Sequence, residues 1–211
     1  MQARDRDTTL PVLLEEIRAC RVCADLPEGP RPVVAAAAGA RIVIIGQAPG
    51  RRVHQSGVAW DDASGDRLRD WLGVSRAEFD DPEVFALVPM GFCYPGTGRS
   101  GDLPPRPECA PLWHERLLAR LPRIELTVLL SRYAHDRYLG DRKRRTLTES
   151  VRAFRDELVA GAAPSVVPLP HPSPRNNRWL ARNRWLETDV LPWLRRRVAE
   201  LVAADPVDPT D

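Results

Sequence analysis

The chain has no long apolar run, no leader pattern and almost no lysine. Its longest apolar stretch, Val33 to Ile45, is interrupted by Gly39 and Arg41 and falls short of the ~20 residues that a membrane-spanning helix needs, so no bilayer span is expected there. Met1 to Glu16 mixes Arg4, Asp5, Arg6, Asp7 and Glu15, where a secretory signal would place positive charge ahead of an apolar core and a small-residue cleavage site. A cytoplasmic location is therefore expected. Cysteine is also scarce: Cys20, Cys23, Cys93 and Cys109 are the whole complement. A chain of 211 residues buries roughly two-thirds to three-quarters of its unfolded surface, so it does not need metal or disulfides merely to have a core. In a compartment that keeps thiols reduced, the pattern C-x2-C, a long gap, then C-x15-C points to a metal or cluster site more than to disulfides.

Lys143 is the only lysine. The preference for arginine fits a GC-rich coding bias, which also accounts for the abundant Ala, Pro and Asp. The formal charge of +2 and a pI near 8.5 permit nucleic-acid binding without arguing strongly for it. Placement says more. Arg175, Arg178, Arg182 and Arg184 interleave with Asn176, Asn177, Asn183, Trp179 and Trp185, a mixture suited to phosphate contacts and to packing on sugars or bases. Arg195 to Arg197 read as the solvated face of a helix.

Four short Val-, Ile- and Leu-rich runs predict buried strands: Arg41 to Ile45, Val84 to Val88, Glu125 to Leu130 and Ser165 to Leu169. Helical patterns separate them. Thr8 or Thr9 is expected to cap a helix through Leu10, Leu13, Leu14 and Ile17, and Ser64 one through Leu68, Trp71 and Leu72. Pro107 opens another through Leu112 to Leu121, and Thr146 or Thr148 with Glu149 begins one through Val151, Phe154 and Leu158. A last helix carries Val190 to Leu201. The alternation implies an α/β three-layer sandwich with a central, mainly parallel four-stranded sheet, forming a single domain over residues 1–202, and a disordered tail over 203–211. In such folds ligands bind outside the carboxyl ends of the strands, which nominates Gly46 to Asp62, Pro89 to Gly101, Ser131 to His135 and Pro170 to Asn177.

Gly46-Gln47-Ala48-Pro49-Gly50 follows a strand directly, and its glycines allow tight turns and close approach by a ligand. It is not a Walker loop, because no Gly-Lys-Ser/Thr follows, nor does it fit G-x-G-x-x-G. His171-Pro172-Ser173-Pro174 presents a histidine after a strand on a loop stiffened by two prolines.

With these motifs the chain resembles the uracil-DNA glycosylase superfamily, nearest to its iron-sulfur branches, families 4 and 5. The family 4 pattern is a cysteine pair, a strand ending in G-E-A-P-G, then G-x-P-F, a cysteine after a second strand, another on the next helix, and a late H-P-S. Here Cys20 and Cys23, Ile42 to Gly50, Gly57 to Trp60, Cys93, Cys109, and His171 to Ser173 follow in that order. The resemblance implies a monomeric DNA-repair glycosylase, nucleoid-associated, that flips a damaged base out of DNA and hydrolyses its N-glycosidic bond. It implies a [4Fe-4S] cluster on Cys20, Cys23, Cys93 and Cys109, although thiolates alone would also accept tetrahedral zinc. Gly46, Gln47 and Ala48 would line the base, Trp60 would stack on it in place of a phenylalanine, and His171 would donate to the base oxygen on which charge develops. Ser173, Arg175, Asn176 and Asn177 would face DNA.

Three positions depart from the family patterns. Family 1 has an aspartate where Ala48 stands and family 4 a glutamate where Gln47 stands, so the first motif offers no carboxylate to orient water. Asp61-Asp62-Ala63-Ser64-Gly65 resembles the family 5 stretch, which selects Asp62 for that role, with helix capping by Asp61 and Asp62 as the structural alternative. Pro89 stands where families 1 and 4 have the asparagine that reads uracil, and proline cannot make that amide contact. Hypoxanthine or xanthine are thus expected as alternatives to uracil, and a non-catalytic or covalently trapping damaged-DNA-binding protein is the alternative function on the same fold.

Overall fold

Each predicted strand forms, trimmed by a residue or two where the chain turns. The computed structural model describes residues 8–99 and 101–203, so the tail expected to be disordered lies outside the described residues from 204 onward. Strands β1 (Ile42–Ile45) and β2 (Phe85–Leu87) are followed by a two-stranded antiparallel hairpin, β3 (Thr97–Gly98) and β4 (Gly101–Asp102). Strands β5 (Leu126–Leu130) and β6 (Val166–Leu169) complete a four-stranded sheet in the order β2-β1-β5-β6. All three pairings are parallel, with Ile42 opposite both Phe85 and Leu126, and Leu129 opposite Pro168. Proline cannot donate to a ladder, and β6 tolerates Pro168 because it is an edge strand.

Nine α-helices surround the sheet among the described residues: α1 (Leu10–Arg18), α2 (Arg51–Ser56), α3 (Ala63–Leu72), α4 (Arg76–Phe79), α5 (Cys109–Leu118), α6 (Arg132–Tyr138), α7 (Leu147–Val159), α8 (Asn177–Arg182) and α9 (Leu191–Ala203). Thr9 does precede α1, but its hydroxyl caps nothing. At α3 the capping residue is Asp62, whose carboxylate accepts from Gly65 N–H, and Ser64 lies inside the first turn. Asp at this position satisfies one of the helix's orphan donors, and the same geometry places its second oxygen beyond the helix end. Thr146 and Glu149 form the expected reciprocal capping box at α7. Before α9 the chain makes a π-helical turn, Leu186–Val190.

The side chains of β1 alternate between two cores. Ile42 and Ile44 pack with Leu68 and Leu72 of α3, Phe154 of α7, and Leu194 and Val198 of α9. Val43 and Ile45 pack with Leu13 and Ile17 of α1, Trp113 and Leu117 of α5, and Ala134 of α6. Helices thus cover both faces of a parallel sheet, giving the expected three layers. Full burial of each such Leu or Ile contributes about 1.5–3 kcal/mol. No described helix is long and apolar enough to cross a membrane.

Candidate functional site

Parallel strands deliver their carboxyl ends to one side of the sheet, and there the segments after β1, β2 and β6 enclose a cleft of about 330 Å³. The segment after β5 does not reach it. Ser131 takes φ 107° and α6 begins at once, and the buried His135 shares its Nε2 between the Leu129 and Leu169 carbonyls, 3.1 Å from each. Three of the four strand-end segments nominated from the sequence therefore build the site, and Ser131 to His135 is structural.

The first wall comes from β1. Gly46 and Gln47 offer their carbonyls to the N–H groups of Met90 and Gly91, which ties the β1 and β2 exits together. A Cβ on Gly46 would stand 2.9 Å from Cζ2 of Trp60, so the indole can lie over this turn only because residue 46 is glycine. Trp60 itself adopts the left-handed conformation, φ 57°, rare for a bulky residue. Gly65 allows it: a Cβ there would fall 1.8 Å from the Trp60 carbonyl oxygen. The first turn of α3 and the Trp60 main chain are thereby interlocked.

The second wall is the loop after β6. Ser173 N–H donates to His171 Nδ1 (3.2 Å), Asn176 Nδ2 donates to the His171 carbonyl (2.7 Å), and the Arg67 guanidinium donates to the Pro172 and Ser173 carbonyls (3.1 and 3.3 Å). Because Nδ1 accepts, the neutral ring carries its proton on Nε2. Burial pushes the His171 pKa down to about 4, against the opposing pull of Asp62. The ring stacks on Trp60, with centroids 5.6 Å apart and planes 26° from parallel. A neutral imidazole donor and an indole face thus adjoin in one cleft.

Asp62 lines the cleft and caps α3 at once, with Oδ1 2.9 Å from Gly65 N. Asp61 is spent elsewhere: its hydrogen bond with Arg76 (3.0 Å) holds its carboxyl below the usual range. His54, another residue of the first segment, is buried on α2 against the Tyr94 ring and does not line the cleft. Gln47, Ala48, Ser173, Arg175 and Asn176 all line it, whereas Asn177 opens α8 outside it. Pro89 lines it too, and its carbonyl accepts from Nε2 of the fully buried His114 (3.0 Å), whose Nδ1 accepts from Tyr138 (2.5 Å).

The sequence reading missed Asp102, Leu103 and Arg67. Asp102 and Leu103 enter the cleft from the hairpin, and the segment nominated from the sequence, Pro89 to Gly101, stops one residue short. Arg175 lies on that hairpin: a Cβ on Gly101 would come within 1.3 Å of its Nη1. The only signal for this in the sequence is a glycine before an aspartate.

The four cysteines meet on the other side of the β2 exit. Cys20 follows α1, Cys93 follows β2 and Cys109 begins α5, and with Cys23 they line one small apolar pocket beside Ile17, Phe92 and Trp113. Phe92 N–H donates to Cys109 Sγ (3.3 Å). Burial pushes the thiols of Cys93 and Cys109 up, to about 11 and about 12. Among the described residues no group of three or more His, Cys, Asp or Glu side chains is arranged to hold a metal ion.

A parallel α/β sandwich with a polar and aromatic cleft at its strand ends is the architecture of a small-ligand-binding α/β protein. The family is more specific. The model of the Uracil DNA glycosylase superfamily matches residues 33–195, and the chain belongs to that superfamily. Membership points to a glycosylase-type function with DNA as partner. The matched span includes every cleft residue named above, with Cys93 and Cys109, while Cys20 and Cys23 precede it.

Proposed function

We propose that the protein is a DNA-repair glycosylase that flips uracil or another deaminated base into the cleft and hydrolyses its N-glycosidic bond. The observation that carries this reading is the convergence of neutral His171, Trp60 and Asp62 in one cleft. A base leaving its sugar gathers negative charge on its carbonyl oxygen, and a fixed Nε2–H donor in a partly water-excluded site stabilises that charge without carrying a charge of its own. Trp60 offers a face on which any base can stack. Asp62 supplies the negative charge that favours a cationic sugar and orients water, a role the first motif leaves unfilled. Arg175, exposed at the rim, would meet DNA phosphate.

Pro89 bears on the substrate. Its ring offers the base no hydrogen bond and its carbonyl is bound by His114, so the amide contact that reads uracil is missing. This favours a pocket that also takes hypoxanthine or xanthine.

The four cysteines fit a [4Fe-4S] cluster. Thiolates are its ligands, one apolar pocket gathers all four, and the N–H bond from Phe92 to Cys109 suits a cluster-bound sulfur. Thiolates also accept zinc, and the family resemblance is what favours the cluster. When bound, the cluster would tie the end of α1 to the β2 exit and α5. Binding would release the thiol protons that burial now holds. Iron and acid-labile sulfide in protein purified without oxygen test this; stoichiometric zinc without iron rejects it.

Oligonucleotides carrying uracil, hypoxanthine or xanthine, treated with the protein and then alkali, separate the functional readings on denaturing gels. Strand breaks at the modified base are the expected result. A stable shifted adduct would establish the trapping alternative, and retained binding without either product would establish a reader of damage.

A further inference from the structure

The cleft contains a second carboxylate, brought by a hairpin that no strand-end motif includes. Gly50 sits between the two. From the position a Cβ would take on Gly50, Oδ2 of Asp62 is 3.8 Å away and Oδ2 of Asp102 is 3.7 Å away. The space that a side chain would fill is therefore bracketed by carboxylate oxygens from two elements distant in sequence. Oδ1 of Asp62 is fixed by Gly65 N–H, which aims its other oxygen at this space. Arg175, resting on Gly101, holds the hairpin beside the loop that carries His171.

We propose that Asp102 is a second catalytic carboxylate, which with Asp62 brackets the attacking water over Gly50 and accepts its proton. The inference rests on the glycosylase reading. In the step, the water oxygen bonds to C1′ of the deoxyribose, the C1′–N bond breaks and its electron pair leaves with the base, and the water proton passes to Asp102 and then to the departing base. The Asp62 carboxylate faces the sugar. The charged groups around Asp102 fit a proton acceptor. Asp102 is an exposed residue at the mouth of the cleft that it lines; desolvation there raises its pKa, the Asp62 charge raises it too, and Arg175 and Arg51 oppose both. An acceptor with raised proton affinity is the better base.

The test is single-turnover release of the modified base by wild type, Asp102→Asn, Asp102→Glu and Gly50→Ala, across pH, with binding to an abasic-site analogue measured in parallel. Gly50 has φ −77°, which alanine accepts, and the added methyl would meet only ordinary contacts, so this variant folds while narrowing the room between the two carboxylates. Expected are a loss of about 10²-fold or more in Asp102→Asn with little change in affinity, partial recovery in Asp102→Glu, and a slowed Gly50→Ala. Wild type should show an acid limb, displaced upward from that of a free aspartate, that Asp102→Asn lacks. A wild-type rate and acid limb in Asp102→Asn would overturn the role of Asp102 alone. Absence of base release by the wild-type protein from every oligonucleotide would overturn the glycosylase reading, and the carboxylate pair with it.

Discussion

His171 shows how far one side chain's chemistry depends on its loop. Ser173 N–H takes Nδ1, Asn176 and Arg67 hold the surrounding carbonyls, and burial keeps the ring neutral well below pH 6. His171→Ala is expected to lower base release by about 10²–10³-fold with abasic-site affinity nearly unchanged, as for loss of one oxyanion donor. Because the ring protonates only near pH 4, His171 contributes no acid limb above about pH 5. A wild-type limb that survives in Asp102→Asn and disappears in His171→Gln would contradict this. Asp62 has two roles that substitution can separate. Asparagine caps as well as aspartate, so Asp62→Asn should keep stability within a few tenths of a kcal/mol while losing activity, whereas Asp62→Ala should cost about 1 kcal/mol as well. Equal activity in Asp62→Asn and wild type would reduce Asp62 to a cap. The sequence named His171, Trp60 and Asp62 because each follows a motif in a fixed order. It could not name Asp102 or Arg67, whose relevance comes only from what folds against them.

At the scale of elements, the strands were legible and the short helices were not. Runs such as Ile42–Ile45 or Leu126–Leu130 carry a continuous apolar signal because both faces of the sheet are covered. Helices α2, α4, α6 and α8 span four to seven residues, too few for a periodic pattern, and they exist because tertiary contacts hold them. The same holds for the hairpin β3–β4, whose two-residue strands carry no alternation. The junction between Trp60 and α3 is an element-scale device that rests on Gly65. A methyl there would strike the Trp60 carbonyl, so Gly65→Ala should lower the melting temperature and displace the indole from His171. Thermal denaturation and tryptophan emission check this together, and an unchanged melting temperature would show that the loop yields freely.

For the whole molecule, the buried histidines set a direction for acid stability. Burial holds His114 and His171 down to about 4 and also lowers His135. Unfolded histidine takes up a proton near pH 6.5, while the folded rings resist until about pH 4. Their contribution to stability is therefore intact above about pH 6.5 and is lost as pH falls toward 4, by on the order of a few kcal/mol in total. Urea unfolding from pH 7.5 to 4.5 should show the midpoint falling steadily, and His114→Phe should flatten part of that slope. A midpoint constant across the range would reject the neutral, buried state assigned to these rings. The overall architecture was readable because strand and helix signals alternate along the chain. The assembly of the cleft was not, since it depends on the hairpin after β2 folding against the segments that follow β1 and β6.

One loop places a constraint on length. Between the left-handed cap of α2 at Gly57 and the cap of α3 at Asp62, the backbone turns left-handed again at Trp60. Handedness, indole and cap all depend on position within this short span. One residue more or less would rotate Trp60 off Gly46 and out of the space that Gly65 leaves for its main chain. Homologues that share this cleft should therefore vary in composition between these two helices but keep the number of residues, and natural insertions should gather elsewhere on the surface.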